Sequence, residues 1–123
     1  MGFDLNGVDP ISKKGEYFRA NVWWWRPLWK FVCDNCDDIL NEKDQERGEW
    51  NDWHEITNQK ANKIADRIYD LDKKGKIKEH EKEYKEYLNN LEDGSFEKHY
   101  PFERDFTIEF AKFCEESGGF KIG

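Results

Sequence analysis

GEYFRANVWWWRPLW, residues 15–29, is the stretch on which the reading of this chain turns. It carries four of the six tryptophans, a Tyr-Phe pair, two arginines and an asparagine. Each Trp can bury on the order of 150–250 Å². The stretch therefore forms the core or exposes a patch larger than soluble monomers usually tolerate. No regular structure points three consecutive side chains the same way, so at least one of Trp23, Trp24 and Trp25 must face away from the core. Trp23, Trp25 and Trp29 are expected inside, with Trp24 or an arginine marking a surface.

Working outward, Pro27 disfavours helical geometry at Arg26 but suits the first turn of a helix. The spacing of Leu28, Trp29, Val32, Cys33, Cys36, Ile39 and Leu40 predicts a helix over 27–40 with one buried stripe. Tyr17–Trp25 reads as helix or as an irregular aromatic segment. Upstream, Gly2–Val8 alternates Phe3 and Leu5 with Asp4 and Asn6, the period of a short strand, and residues 11–15 read as loop. Downstream, Asn41 with Asp44 predicts a capped single turn ending near Gly48. Residues 49–56 read as a turn anchored by Trp50 and Trp53.

Thr57 reads as the N-cap of a helix to about Lys74, striped by Ala61, Ile64, Ala65, Ile68 and Leu71 and closed by Gly75. A charged surface helix follows over 76–91, then a turn at Asp93-Gly94-Ser95 and a helix through Phe106, Phe110, Phe113 and Cys114 to about Ser117. Phe120-Lys121-Ile122 is expected to pair with the N-terminal strand. The fold class predicted for residues 1–123 is thus a single compact, mainly α domain of about four helices with a minor two-stranded β element formed by the chain termini.

The 123 residues suffice for one domain that hides roughly two-thirds of its unfolded surface. Charged residues make up 38% and aromatics 16%, so a solvated surface surrounds a core of few, large side chains. The net charge of −7 argues against general nucleic-acid binding. That charge is uneven: residues 1–30 hold five basic side chains against three acids, and the rest hold 15 against 24. The aromatic stretch is the one basic part of an acidic chain, where an anionic ligand or acidic partner would be drawn. No apolar run is long enough for a membrane span, no signal-peptide layout opens the chain, and Asn6 stands where a myristoylation signal wants Ser or Thr. Three cysteines, an odd number, suit reduced thiols. A cytoplasmic protein is expected.

Four constellations bear on chemistry. The first is a ligand- or partner-binding site of Arg19, Asn21, Trp24 and Arg26, with Glu16 and Asp4 nearby. Aromatic faces stack planar groups, Arg forks onto carboxylate or phosphate, and Asn reads an amide or base edge. Its alternative is that the tryptophans only fill the core while Arg19 and Arg26 pair with Glu16 and Asp4. Secondly, Cys33-Asp34-Asn35-Cys36 has the spacing of half a zinc or redox site, with Cys114 and His54, His80 or His99 as further ligands. Its cysteines fall on the predicted buried stripe, and no metal or cofactor is expected. Thirdly, His54 with Asp52 and Glu55 offers an acid–base group, and a solvated loop histidine is the commoner outcome. Fourthly, the acidic stretches 34–49 and 79–86 resemble a surface that mimics nucleic acid or docks on a basic protein, though interleaved lysines describe an ordinary helix face.

MGFDLNG, GEYFRANVWWWRPL and FAKFCEESGGF, and more loosely the helix after Thr57, together resemble a family of small uncharacterised proteins of bacteria and phages, over about half the chain. Some of its members insert a cysteine-rich segment similar to the zinc motifs of DnaJ-type chaperones just before the region of Tyr100-Pro101. Here that region is only EDGSFEKH, so no zinc-dependent role carries over. The resemblance implies a shared fold and a phage or bacterial origin, and no mechanism.

The expectation is a small non-enzymatic protein that binds a protein partner or a small anionic ligand through residues 15–29, with Arg19→Ala folded but unable to bind. The alternatives are an accessory enzyme for a small phosphorylated or nucleotide substrate and a phage inhibitor of host defence acting through its acidic surface.

Overall fold

The computed structural model describes residues 2–123. Strand β1 (Gly2–Gly7) leads through a 3-10 turn (Lys13–Gly15) to strand β2 (Tyr17–Asn21). Helices α1 (Val22–Asn35) and α2 (Glu42–Arg47) follow, then strand β3 (His54–Ile56). Helices α3 (Asn58–Lys73) and α4 (Lys76–Asn89), a second 3-10 turn (Phe96–His99), helix α5 (Arg104–Glu116) and strand β4 (Phe120–Ile122) complete the chain. The fold is mainly α with a sheet. That sheet has four strands in the order β2-β1-β4-β3, all antiparallel, and so differs from the two-stranded terminal element the sequence predicts.

The terminal pairing is present: β4 lies beside β1 with Leu5 opposite Ile122 and Asn6 opposite Lys121. Two flanking strands are what the sequence reading lacks. In β2, Phe18 and Ala20 face inward while Tyr17, Arg19 and Asn21 face out. Its five residues are a period-2 pattern concealed by the apolar run that follows. β3 is three residues long, too short to show a period, and it forms because Ile56 fills the core beside Phe120.

One sheet face, bearing Phe3, Leu5, Phe18, Ala20, Ile56, Phe120 and Ile122, is covered by helices. The other carries Asp4, Asn6, Tyr17, Arg19, Glu55 and Lys121. Helices α3 and α5 pack on each other beneath the sheet, bringing Ile64, Ile68, Phe110 and Phe113 into the same core as Trp25 and Trp29. Gly118 and Gly119 have φ of 70° and 95° and turn the chain from α5 into β4. A β-carbon on Gly118 would stand 2.2 Å from the Asp9 carbonyl oxygen.

Helix α1 starts five residues before the predicted Pro27. Asn21 ends β2 and caps α1 by accepting the Trp24 N–H at 3.1 Å. Pro27 is then interior and leaves the Trp23 carbonyl without its usual N–H partner. Burial of Trp25, Leu28, Trp29 and Val32 on one stripe outweighs that single lost bond. The helix also ends earlier than predicted, since Cys36 leaves helical geometry at φ −123° and its carbonyl accepts both the Ile39 and the Leu40 N–H.

The Asn41–Asp44 capping box forms as expected, as do the Thr57 cap and the Gly75 stop. Trp50 and Trp53 differ from expectation: they are 52% and 59% exposed. Trp53 sits at φ 69° with its ring over the Gly123 backbone. No helix among the described residues is long and apolar enough to cross a membrane.

Candidate functional site: an aromatic groove with a cationic rim

The three consecutive tryptophans go three ways. Trp25 is completely buried, stacked on Trp29 at 5.3 Å and donating its indole N–H to the Gly48 carbonyl at 2.8 Å. Trp24 is half-buried against Phe106. Trp23 is half-buried as well, with its ring 4.9 Å from both Phe96 and Tyr100. A helix turns about 100° per residue, so one run of indoles supplies both core and surface. The sequence reading places Trp23 inside; it lies at the edge of an aromatic surface.

That surface is assembled from three elements. From α1, Arg26 and Lys30 stand four residues apart on the exposed side, with Phe31 beneath them. From α4, His80, Tyr84 and Tyr87 recur at four and three, and the 96–100 segment adds Phe96, Glu97 and Tyr100. Together with Pro27 these residues line a groove of about 590 Å³, within the usual range of roughly 300–1,000 Å³ for ligand sites. Its floor is Phe31 and the adjoining Phe102, both buried, with the His80 ring 4.8 and 4.5 Å from theirs. Its rim is exposed, Phe96 at 66% and Tyr87 at 48%. Beyond Phe96 a second recess of about 560 Å³ is lined by Asn21, Trp23, Trp24, His99 and Pro101, so that one phenyl ring partitions two aromatic depressions.

Burial sets the electrostatics of the groove. It pushes the Tyr84 hydroxyl up to about 12 and holds the His80 imidazole below its usual value, so both are neutral at pH 7. The Tyr87 hydroxyl donates to Glu97 at 2.7 Å and is raised by that bond. Lys30 pairs with Asp34 at 3.1 Å. Arg26 pairs with no carboxylate among the described residues, and its guanidinium is the free charge at the rim.

Of the sequence-predicted residues, Asn21 and Trp24 line the recess and Arg26 the groove. Arg19 and Asp4 lie elsewhere, facing each other across β2 and β1 on the open sheet face at 3.8 Å, and Tyr17 donates its hydroxyl to the same Asp4. Glu16 is exposed at the turn before β2, its carbonyl accepting the Gly7 N–H. The six do not share one cavity. His80, Tyr84, Tyr87, Phe96 and Tyr100 are groove residues that the sequence reading misses. The signal for them is five rings set in an otherwise charged stretch, but what they face depends on how α4 packs on α3 and α5 beside α1.

The remaining constellations take structural parts. His54 turns away from Asp52, which pairs with Arg47, and its Nε2 lies 2.8 Å from the buried Asp44. Asp44 also accepts from Lys60 and from the Asn41 N–H, tying α2 to β3 and α3. Burial acts to raise the Asp44 pKa, and the bonds from Lys60 and His54 overcome it, leaving the carboxyl below its usual range. Cys36 and Cys114 are buried and Cys33 is half-buried, all as free thiols. Among the described residues no three metal-ligating side chains stand together.

Comparison of this chain with protein-family models, with curated proteins and with solved structures returns no match.

Proposed function

We propose that this chain is a small non-enzymatic binding protein that engages a protein partner through the aromatic groove between α1 and α4. The observation that carries this reading is the composition of the groove: exposed Phe and Tyr rings around an unpaired arginine at its mouth. Aromatic and Arg side chains dominate the binding energy of protein interfaces, the rings because they bury large areas at small entropic cost and Arg because its planar fork makes several directed hydrogen bonds. Two of the groove's ionisable groups are engaged in holding its shape, with Glu97 accepting from Tyr87 and His80 kept neutral among rings. A partner offering apolar side chains and an acidic residue for Arg26 suits it.

The resemblance to small phage and bacterial proteins supports a shared fold and such an origin, with the host cytoplasm as the place of action. Its three segments are β1, β2 with the first half of α1, and the end of α5 with β4. β1 is hydrogen-bonded to both β2 and β4, so these segments stand together around three adjacent strands of the sheet.

Native mass spectrometry of the protein isolated from its own host tests the proposal. The wild type is expected to carry a stoichiometric protein partner, and Phe96→Ala combined with Arg26→Glu to lose it at unchanged circular dichroism. Truncating a central aromatic anchor costs about 2 kcal/mol or more in binding, a factor of roughly 30. Full retention of the partner by the folded double variant would refute the groove as the interface.

A further inference from the structure

The hydrogen-bonding inventory of the groove narrows what it accepts, and this inference rests on the groove being the interface. Trp23, Tyr84 and Tyr100 are half-buried, and the Trp23 indole N–H and the Tyr84 and Tyr100 hydroxyls bond to no group among the described residues. The only buried side-chain polar atom left without a partner among the described residues is Ser12 Oγ, so these three groups face solvent. With Arg26 they make the aromatic surface rich in free donors. Its carboxylate, Glu97, already accepts from Tyr87.

An α-helical partner has its backbone carbonyls satisfied internally and has no use for such donors. A polyproline-II segment is the opposite case. Its backbone has no internal hydrogen bonds, its carbonyls point outward, and each proline lacks an N–H. It therefore offers acceptors without donors, the complement of this surface. Shape agrees: polyproline II repeats every three residues, about 9 Å, and aromatic-lined grooves seat its successive turns in adjacent depressions. Here two depressions lie on either side of the Phe96 ring. Charge then sets the flank, because the unpaired Arg26 selects an acidic residue next to the prolines.

We propose that the groove and the adjoining recess bind a proline-rich segment in polyproline-II conformation, with prolines on either side of Phe96, carbonyls on the Trp23 and tyrosine donors, and a flanking Asp or Glu on Arg26.

The test uses the full chain and three blocked decapeptides, titrated by isothermal calorimetry and by tryptophan fluorescence: Asp-Glu followed by eight prolines, Lys-Lys followed by eight prolines, and Asp-Glu followed by eight glycines. The acidic proline peptide is expected to bind at least tenfold more tightly than either other peptide. Phe96→Ala should abolish the difference between proline and glycine. Trp23→Phe, which keeps a ring and removes the N–H, should weaken binding about fivefold. Arg26→Glu should reverse the preference between acidic and basic flanks. Equal binding of the proline and glycine peptides, or no binding at millimolar concentration, overturns the proposal, as does a dimer of this chain that Phe96→Ala dissociates. If the peptides fail while Phe96→Ala/Arg26→Glu still loses the native partner, the polyproline inference falls and the groove reading stands. If the partner survives those substitutions, both fall.

Discussion

Gly48→Ala should destabilise this protein far more than a one-methyl change suggests. Gly48 sits at φ −65° and ψ −16°, an ordinary right-handed conformation. Backbone considerations alone would make alanine stabilising by about 0.4–1 kcal/mol through the unfolded chain. Space decides otherwise. A β-carbon there would stand 2.2 Å from the Trp29 ring carbons and 2.4 Å from its nitrogen, where ordinary contact begins at 3.4 Å. Trp29 is 2% exposed and stacked on Trp25, so the indole has nowhere to go. The end of α2 must lift instead. Lifting pulls the Gly48 carbonyl from the Trp25 N–H and the Gln45 carbonyl from the Trp29 N–H, bonds of 2.8 and 3.0 Å. Overpacking costs about 1–3 kcal/mol, and each buried donor left unsatisfied costs about 1–3 kcal/mol. Partial relaxation leaves about 3–5 kcal/mol, a fall in Tm of roughly 10–20 °C for a chain of this size. Urea denaturation followed by tryptophan fluorescence measures it. Gly75→Ala is the control: Gly75 has φ 77° but open space around it, so alanine there costs about 1 kcal/mol of left-handed strain alone. A Gly48→Ala variant within 1 kcal/mol of wild type would show that α2 does not rest on the indoles as described.

Asp44→Asn should cost about 3 kcal/mol at pH 7, because it breaks a buried ion pair and leaves Lys60 and His54 facing a neutral amide. The Asp44 pKa is lower folded than unfolded, so its stabilisation is complete above about pH 4–5 and is lost as the pH falls through the folded value. Chemical denaturation from pH 7 to 2 should therefore show a shallower acid limb in Asp44→Asn than in wild type. His80 is depressed by burial, so protonating it opposes folding, and stability should decline as the pH drops below about 6.5, a step that His80→Phe removes. Burial pushes the Cys33 and Cys36 thiols up to about 12 and about 11 and raises the Cys114 thiol well above its ordinary value. Iodoacetamide at pH 8 should accordingly alkylate the native protein at least tenfold more slowly than the urea-unfolded chain. Arg19→Ala, which removes an exposed 3.8 Å ion pair, should stay folded within about 1 kcal/mol. Retained partner binding in that variant assigns recognition to the groove, and lost binding extends it to the open sheet face.

Local rules make much of this chain legible from its residues alone. Asn41 with Asp44, Thr57, and Gly75 set helix ends because a cap is satisfied within one turn. The stripe through Ala61, Ile64, Ala65 and Ile68, and the alternation at both termini, report burial through periods that tertiary contacts had no need to alter. Tertiary structure decided where local rules competed. Pro27 marks a helix start when read alone. Asn21 offers an earlier cap, and the buried indoles supply enough packing to carry the helix through the proline. β2 and β3 exist as strands because β1 and β4 stand beside them, a non-local condition that five and three residues cannot announce. The groove lies furthest from the sequence. Trp23, Tyr84 and Phe96 come from separate elements of the chain, and they become one surface only because the packing of α4 on α3 and α5 brings it alongside α1 and leaves their rings outside the core. The run of three consecutive tryptophans by itself determined that at least one indole would face away from the core. Which of them remained at the surface, and beside which charge, was set by the packing of helices.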